Sequence, residues 1–135
     1  MNDTQVKRNS TFYERTRAFL NLIRPEENIF YDIKTKLNIP FSAGLASSAC
    51  GFAALTLAFN DLYRWQLSQT KLSLLSRLGS GSACRSLWPG FVEWQKGTRA
   101  DGLDSHGMPL PYTWPELRIG LVILDDTAKI HSSTQ

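Results

Sequence analysis

Little in this sequence marks a secreted, membrane-embedded or metal-holding chain. It has two cysteines, Cys50 and Cys84, and two histidines in 135 residues. Two isolated cysteines build no disulfide framework and lack the paired spacing of a zinc site. They read as small buried thiols in a reducing, cytoplasmic compartment. Long hydrophobic runs are missing too: 52–59 is interrupted by Thr56, and 119–124 is shorter still. Both fall well short of the roughly 18–20 apolar residues that cross a bilayer. The opening MNDTQVKRNS carries no apolar segment, so the sequence predicts neither a secretory signal nor a membrane partner. No repeat and no low-complexity tract is present. The composition is that of an ordinary globular domain, 42% hydrophobic and 20% charged, which excludes disorder on compositional grounds.

Charge is unevenly spread along the chain. Residues 1–37 hold seven basic and five acidic side chains, 38–100 hold six and two, and 101–135 hold two and five. The middle third is therefore basic and poor in carboxylates, which suits a phosphorylated or otherwise anionic ligand. Nucleic acid is the competing reading, but no cluster of five or more Lys/Arg occurs, so no nucleic-acid partner is expected.

Hydrophobic periodicity outlines the elements. Residues 11–24 read as a helix with Phe12, Phe19, Leu20 and Ile23 on one face. Ser10 or Thr11 can cap it, Glu14 completes a capping box with Thr11, and Pro25 ends it. Residues 29–39 alternate apolar and polar and predict a half-buried strand. A loop over 40–45 leads into an apolar helix over 46–62, expected to be central. A second helix, 68–78, shows Leu72, Leu75 and Leu78 at three-residue spacing and is broken by Gly79 and Gly81. A short helix over 83–87, a strand over 91–95, a Gly/Pro-rich loop over 96–115 and an apolar strand over 117–124 follow. This order predicts an α+β fold. The strands want partners that the chain scarcely supplies, so the sequence reads as part of something larger.

Two loops carry the chemistry. The first, Pro40-Phe-Ser-Ala-Gly-Leu-Ala-Ser-Ser-Ala49, runs into an apolar helix. Gly44 permits close backbone approach, the helix start presents free N–H groups, and Ser47 and Ser48 add hydroxyls. That is a phosphate cradle without a P-loop lysine; a capped helix after a strand is the plainer alternative. The second, Gly79-Ser-Gly-Ser-Ala-Cys-Arg-Ser86, again places glycines and serines before a helical turn. Ser82 and Arg85 share a helical face, and the guanidinium fork can hold a carboxylate or phosphate. A helix junction with Arg85 in a structural ion pair competes. His106, His131 and the pair Asp125-Asp126 are weaker candidates for a ligand, a base or a Mg²⁺ site. Trp65, Trp88, Trp94 and Trp114 are spread too widely for a base-stacking platform and read as packing residues.

At these loops the chain resembles a known family. Pro40-x-x-Ala-Gly-Leu-Ala-Ser-Ser-Ala49 is similar to the phosphate-binding loop of the GHMP small-molecule kinases. Gly79-Ser-Gly-Ser-Ala-Cys-Arg-Ser86 narrows the resemblance to the diphosphomevalonate decarboxylases. So do Gly90-Phe-Val-Glu-Trp94, Asp101-Gly-x-Asp-Ser105, Trp114-Pro-Glu-Leu-Arg118 and Ser132-Ser-Thr134. The resemblance implies a GHMP-kinase N-terminal domain, ribosomal protein S5 domain 2-like, with a mainly antiparallel sheet packed with helices. Residues 1–135 would form its central part, without the first strands and the C-terminal domain.

It also implies an activity. The family phosphorylates the 3-hydroxyl of 5-diphosphomevalonate with ATP and Mg²⁺; loss of phosphate and CO₂ then yields isopentenyl diphosphate. By resemblance, Gly44, Leu45, Ala46, Ser47 and Ser48 hold ATP phosphates. Ser80, Gly81, Ser82, Ala83, Cys84, Arg85 and Thr134 hold the substrate, with Arg85 on its anionic groups and Ser82 near the transfer site. Phe41-Ser42, Cys50, Pro89 and His106-Gly107 depart from the usual pattern. The family's Lys-Tyr-Trp-Gly-Lys motif and its catalytic Asp have no counterpart here, so no catalytic residue and no metal ligand is assigned. The chain alone is expected to be a truncated, inactive form. Other readings are a non-catalytic remnant or a split-enzyme subunit, a related phosphomevalonate decarboxylase or GHMP kinase, and, more remotely, an RNA-binding S5-like domain. The full-length enzyme is expected to be cytoplasmic and can form a homodimer.

Overall fold

In the computed structural model, residues 6–37, 46–120 and 122 are described. The chain divides into two compact units, Met1–Asn38 and Ile39–Gln135.

The first unit holds helix α1, Thr11–Ile23. Ser10 is its cap: its backbone is extended and its Oγ accepts from the Tyr13 N–H at 3.2 Å. The capping box expected between Thr11 and Glu14 is therefore not formed. With Ser10 at the cap, Glu14 lies one position too far along and pairs instead with Arg17 at 2.9 Å. Phe19 and Ile23 are buried, as their spacing predicts. Arg24 is extended ahead of Pro25, which ends the helix as the steric clash with a proline ring requires.

Residues 29–37 do not form the predicted strand. Phe30 is 87% exposed, and Ile33, on the face read as buried, is also exposed. Alternation marks a strand only where a neighbour accepts its backbone hydrogen bonds, and among the described residues this segment joins no sheet ladder. The end of that prediction, 38–39, lies outside the described residues.

The second unit is built on α2, Ser47–Leu62, and α3, Gln69–Gly79. A 3₁₀ turn, Gly81–Arg85, follows, then strands β1, Val92–Trp94, and β2, Gly107–Pro109. α2 buries Ala49, Phe52, Ala53, Thr56 and Phe59 along one stripe. Leu57 and Leu62 are exposed, so the helix is covered on one side among the described residues rather than all round. The α2–α3 connection uses left-handed backbone at Arg64 and Gln66, and Asn60 closes it by accepting from the Leu67 N–H at 3.0 Å. Tyr63 stacks between Phe59 and Trp65.

The buried face of α3 is not the leucine row read from the sequence. Leu72 is buried, but Leu78 is exposed, and the remaining covered positions are Ser73, Ser76 and Gly79. A Cβ on Gly79 would stand 2.0 Å from the Phe52 ring, so the two helices meet where no side chain intervenes. Thr56 and Ser76 satisfy their buried hydroxyls on carbonyls of their own helices, Phe52 at 2.8 Å and Ser73 at 3.0 Å.

β1 and β2 pair antiparallel with Val92 opposite Pro109 and Trp94 opposite Gly107. They are the only strands among the described residues. The expected fold, a mainly antiparallel sheet packed with helices, is thus overturned: the described chain is predominantly helical, with one two-stranded sheet. The apolar segment predicted as a strand over 117–124 is not one over 117–120 or at 122, where Ile119 and Val122 are more than 80% exposed. Its other positions lie outside the described residues. Both failed strands share a cause. Apolar patterning makes a segment able to join a sheet, but the ladder has to come from another segment.

The two helical glycines separate cleanly. At Gly51 a Cβ would meet nothing within 4 Å, whereas at Gly79 it would meet a buried ring. Gly51→Ala should stabilise by about 0.5–1 kcal/mol through helix propensity. Gly79→Ala should destabilise by about 1–3 kcal/mol through overpacking. Urea unfolding of the two variants checks this; equal midpoints would contradict it.

Candidate functional site

The site begins where α2 starts. Ala46, at the cap position, has left-handed backbone (φ 53°, ψ 36°) and makes no side-chain cap. The first-turn N–H groups of a helix have no partner inside it, so an uncapped start presents them, with the positive end of the dipole, to whatever lies in front. Ser47 and Ser48 are half-buried in that first turn. Gly44 and Leu45 lie outside the described residues.

The second loop arrives at the same place. Ser80 ends α3, with its N–H donating to the Ser76 carbonyl at 3.2 Å, and its own carbonyl accepts from Ala83 N–H at 2.8 Å to start the 3₁₀ turn. Its hydroxyl stands 3.5 Å from that of Ser48 and 3.4 Å from that of Ser82. Three hydroxyls from two separate loops therefore form one row. Gly81 lies under the indole of Trp94, where a Cβ would come within 2.7 Å of the ring. This close approach explains the glycine; its backbone is not left-handed.

Ala83 and Cys84 are fully buried. Burial pushes the Cys84 thiol up, opposed in part by Arg85 and Arg77, so it packs as a neutral thiol and not as a nucleophile. Arg85 closes the turn on the exposed side and has no ion-pair partner among the described residues. Of the positions expected to hold substrate, the turn thus brings Ser80 and Ser82 to Ser48 at the start of α2, with Arg85 following at the end of the turn. Thr134 lies outside the described residues, as do Asp125, Asp126 and His131.

Several supporting residues were not singled out in the sequence. Ser73 donates to the Cys84 carbonyl and accepts from the Gly107 N–H, both at 2.8 Å. Ser105 accepts from the Trp94 indole N–H at 3.0 Å and donates to the Gln95 carbonyl at 2.9 Å. Arg77 donates to the Gly102 carbonyl at 3.1 Å. The signal for the first of these was present: Ser73, Ser76 and Gly79 recur at three-residue spacing on a helix, the mark of a face made for close approach.

Asp104 has a structural task. Its carboxylate accepts from the backbone N–H of Thr98 at 2.7 Å and of Arg99 at 3.2 Å, and from the Thr98 hydroxyl. The Thr98 N–H above all holds its pKa below the usual carboxylate value. Asp101 is lowered first by the Arg99 guanidinium beside it and then by the Leu103 N–H. His106 rests its Nδ1 2.9 Å from the Gly107 carbonyl. An open cleft of about 360 Å³ lies away from the serine row, lined by Phe91, Tyr112, Trp114 and Leu117 with no charged side chain.

Chemically, the row offers the hydroxyls of Ser48, Ser80 and Ser82 and the helix N–H groups beside them, and the turn after it ends in the Arg85 guanidinium. Donors of this kind bind and orient an anion. No group of three or more His, Cys, Asp or Glu that could hold a metal occurs among the described residues. No described helix is long and apolar enough to cross a membrane.

Comparison with known proteins gives a consistent result. Residues 1–107 match the family model described as the diphosphomevalonate decarboxylase-like N-terminal domain. The chain is 48% identical over 105 residues to the diphosphomevalonate decarboxylase of Candida albicans, covering 76% of this chain and 29% of that one. It is 44% identical over 105 residues to that of Saccharomyces cerevisiae, covering 76% and 26%. It is 46% identical over 99 residues to that of Homo sapiens, covering 72% and 24%. The chain thus spans about a quarter of the length of the curated relatives it matches.

The Asp104 contacts make the 97–105 loop sensitive to acid. A carboxylate whose folded pKa is depressed stabilises fully above its unfolded value of 3.8, and that contribution is lost as pH falls through the lower folded value. Amide exchange at Thr98 and Arg99 should accelerate, relative to intrinsic rates, below about pH 4. In Asp104→Asn the relative protection should be low and flat across that range. NMR exchange series on both proteins would show it, and matching profiles would count against it.

Proposed function

The chain belongs to the diphosphomevalonate decarboxylase-like family, and from that premise we propose that it supplies the anion-binding segment of an ATP-dependent decarboxylase acting on 5-diphosphomevalonate. It forms the central part of the N-terminal, ATP- and substrate-binding domain of such an enzyme. The observation that carries this reading is the row Ser48–Ser80–Ser82, in which a helix start suited to phosphate meets a turn ending in Arg85, which has no ion-pair partner among the described residues.

The donor set fits two anions side by side. Gly44, Leu45, Ala46, Ser47 and Ser48 hold nucleotide phosphates, with the uncapped start of α2 as their electrostatic anchor. ATP, carried with Mg²⁺, supplies the phosphoryl group. Ser80, Gly81, Ser82, Ala83, Cys84, Arg85 and Thr134 hold the substrate. Arg85 neutralises its anionic groups, and Ser82 orients the 3-hydroxyl toward the nucleotide side. Phosphorylation turns that hydroxyl into a leaving group. Departure of phosphate with loss of CO₂ then forms the double bond of isopentenyl diphosphate. The contributions of these residues are positioning and charge stabilisation, which dominate phosphoryl transfer. Handling the proton of the 3-hydroxyl falls to an aspartate outside this chain.

Two measurements test the reading. The 135-residue chain supplied with ATP, Mg²⁺ and 5-diphosphomevalonate should release neither ADP nor CO₂ above background, while the same segment restored to a full-length enzyme should release both. Repeated turnover by the short chain would overturn the assignment of the proton-handling group. In the full-length form, Arg85→Ala should lower kcat/KM by about 30- to 1000-fold, an interaction of about 2–4 kcal/mol. Arg77→Ala, which loosens the Gly102 contact, should mainly lower the melting temperature. Equal, small kinetic effects would remove Arg85 from the site.

A further inference from the structure

We propose that Ser73 is a positioning residue: its buried hydroxyl fixes the peptide plane ahead of Arg85 and so sets the direction in which the guanidinium meets an anion. The inference rests on the reading of Arg85 as an anion-binding residue.

Ser73 is wholly buried in the middle of α3. Its hydroxyl donates to the Cys84 carbonyl and accepts from the Gly107 N–H, each at 2.8 Å. One oxygen therefore joins α3, the 3₁₀ turn and β2. The neighbouring serine on the same face behaves differently, because Ser76 spends its hydroxyl on the Ser73 carbonyl within α3. Gly107 belongs to the same joint. A Cβ there would lie 2.4 Å from the Cys84 carbonyl oxygen, so β2 rests directly on the turn.

Packing alone does not call for this hydroxyl. Alanine would fill nearly the same volume, but it would leave the buried Cys84 carbonyl and Gly107 N–H without this partner. What the hydroxyl adds is direction. The Cys84 carbonyl and the Arg85 N–H share one rigid peptide plane, so anchoring the carbonyl orients the bond from which the Arg85 side chain leaves. Arg85 is exposed and has no ion-pair partner among the described residues, so little else holds it in advance of a ligand. A binding group pre-aimed by a buried partner loses less on binding than one that must be ordered.

The test is titration of the 135-residue chain with inorganic diphosphate, followed by calorimetry and by amide exchange. Ser73→Ala should weaken diphosphate binding by about tenfold, and Ser73→Cys, similar in size but poor as donor and acceptor, should fall between it and the parent. The Gly107 and Arg85 amides should exchange faster in Ser73→Ala. The decisive measurement is the double variant: Ser73→Ala/Arg85→Ala should bind no more weakly than Arg85→Ala alone. A hydroxyl that merely supported the fold would weaken both backgrounds equally, and that result would overturn the proposal. So would parent-like affinity in Ser73→Ala or, where that variant does not fold, in Ser73→Cys. If the parent chain shows no diphosphate binding while its Ser73 joint remains protected from exchange, the anion reading of Arg85 fails and takes this proposal with it. Binding by the parent with no Ser73 effect sinks the positioning role alone.

Discussion

Close approach along one face of α3 governs the second unit. Of the four buried positions of α3, only Leu72 is larger than a serine; the others are Ser73, Ser76 and Gly79. Phe52 can then lay its ring on Gly79, and the 3₁₀ turn can sit within hydrogen-bond reach of α3. Such contact forces buried hydroxyls on the core, and each is satisfied: Thr56 and Ser76 on their own helices, Ser73 across elements. Larger residues on this face would bury more apolar surface and separate the two loops that the site requires together. The core is modest in apolar area because its geometry serves the approach of backbones.

A second consequence is electrostatic. Bringing the end of α3 beside the start of α2 places a helix N-terminus and three hydroxyls in one region. The acidic side chains nearby in sequence are committed elsewhere. Asp104 is saturated by the backbone of its own loop and Asp101 by Arg99 and Leu103. Their lowered pKa values are those of carboxylates working as loop staples. The buried Cys84 thiol stays neutral for the opposite reason, desolvation. Asp101 and Asp104 are thus committed to their own loop, while the hydroxyls of Ser48, Ser80 and Ser82 meet one another.

Local rules were legible in the residues where the structural cause is local. The Pro25 stop and the span of α2 follow from steric and hydrogen-bonding preferences within a few residues. The cap of α1 shows the limit of that reading, since two adjacent hydroxyl residues could serve and the choice of Ser10 over Thr11 shifts Glu14 out of register. The strands over 29–37 and 117–120 show a different limit. Their patterns are those of sheet segments, but no described residue provides a ladder, and the chain there is irregular and largely exposed.

The sequence by itself determined the helices, the glycine- and serine-rich loops, the basic and carboxylate-poor middle, and, through its motifs, the family. These depend on residue type and on spacing along the chain. Only the tertiary structure decided that Ser48 and Ser80, 32 positions apart, stand hydroxyl to hydroxyl, and that Ser73, Ser76 and Gly79 join Leu72 on the buried face of α3 while Leu78 stays exposed. It alone gave Ser73 its two partners, 11 and 34 residues away. The reason is physical. A serine in a helix carries the same propensity whether its hydroxyl meets water, its own turn or another element, and which of these it meets is set by the packing of the whole.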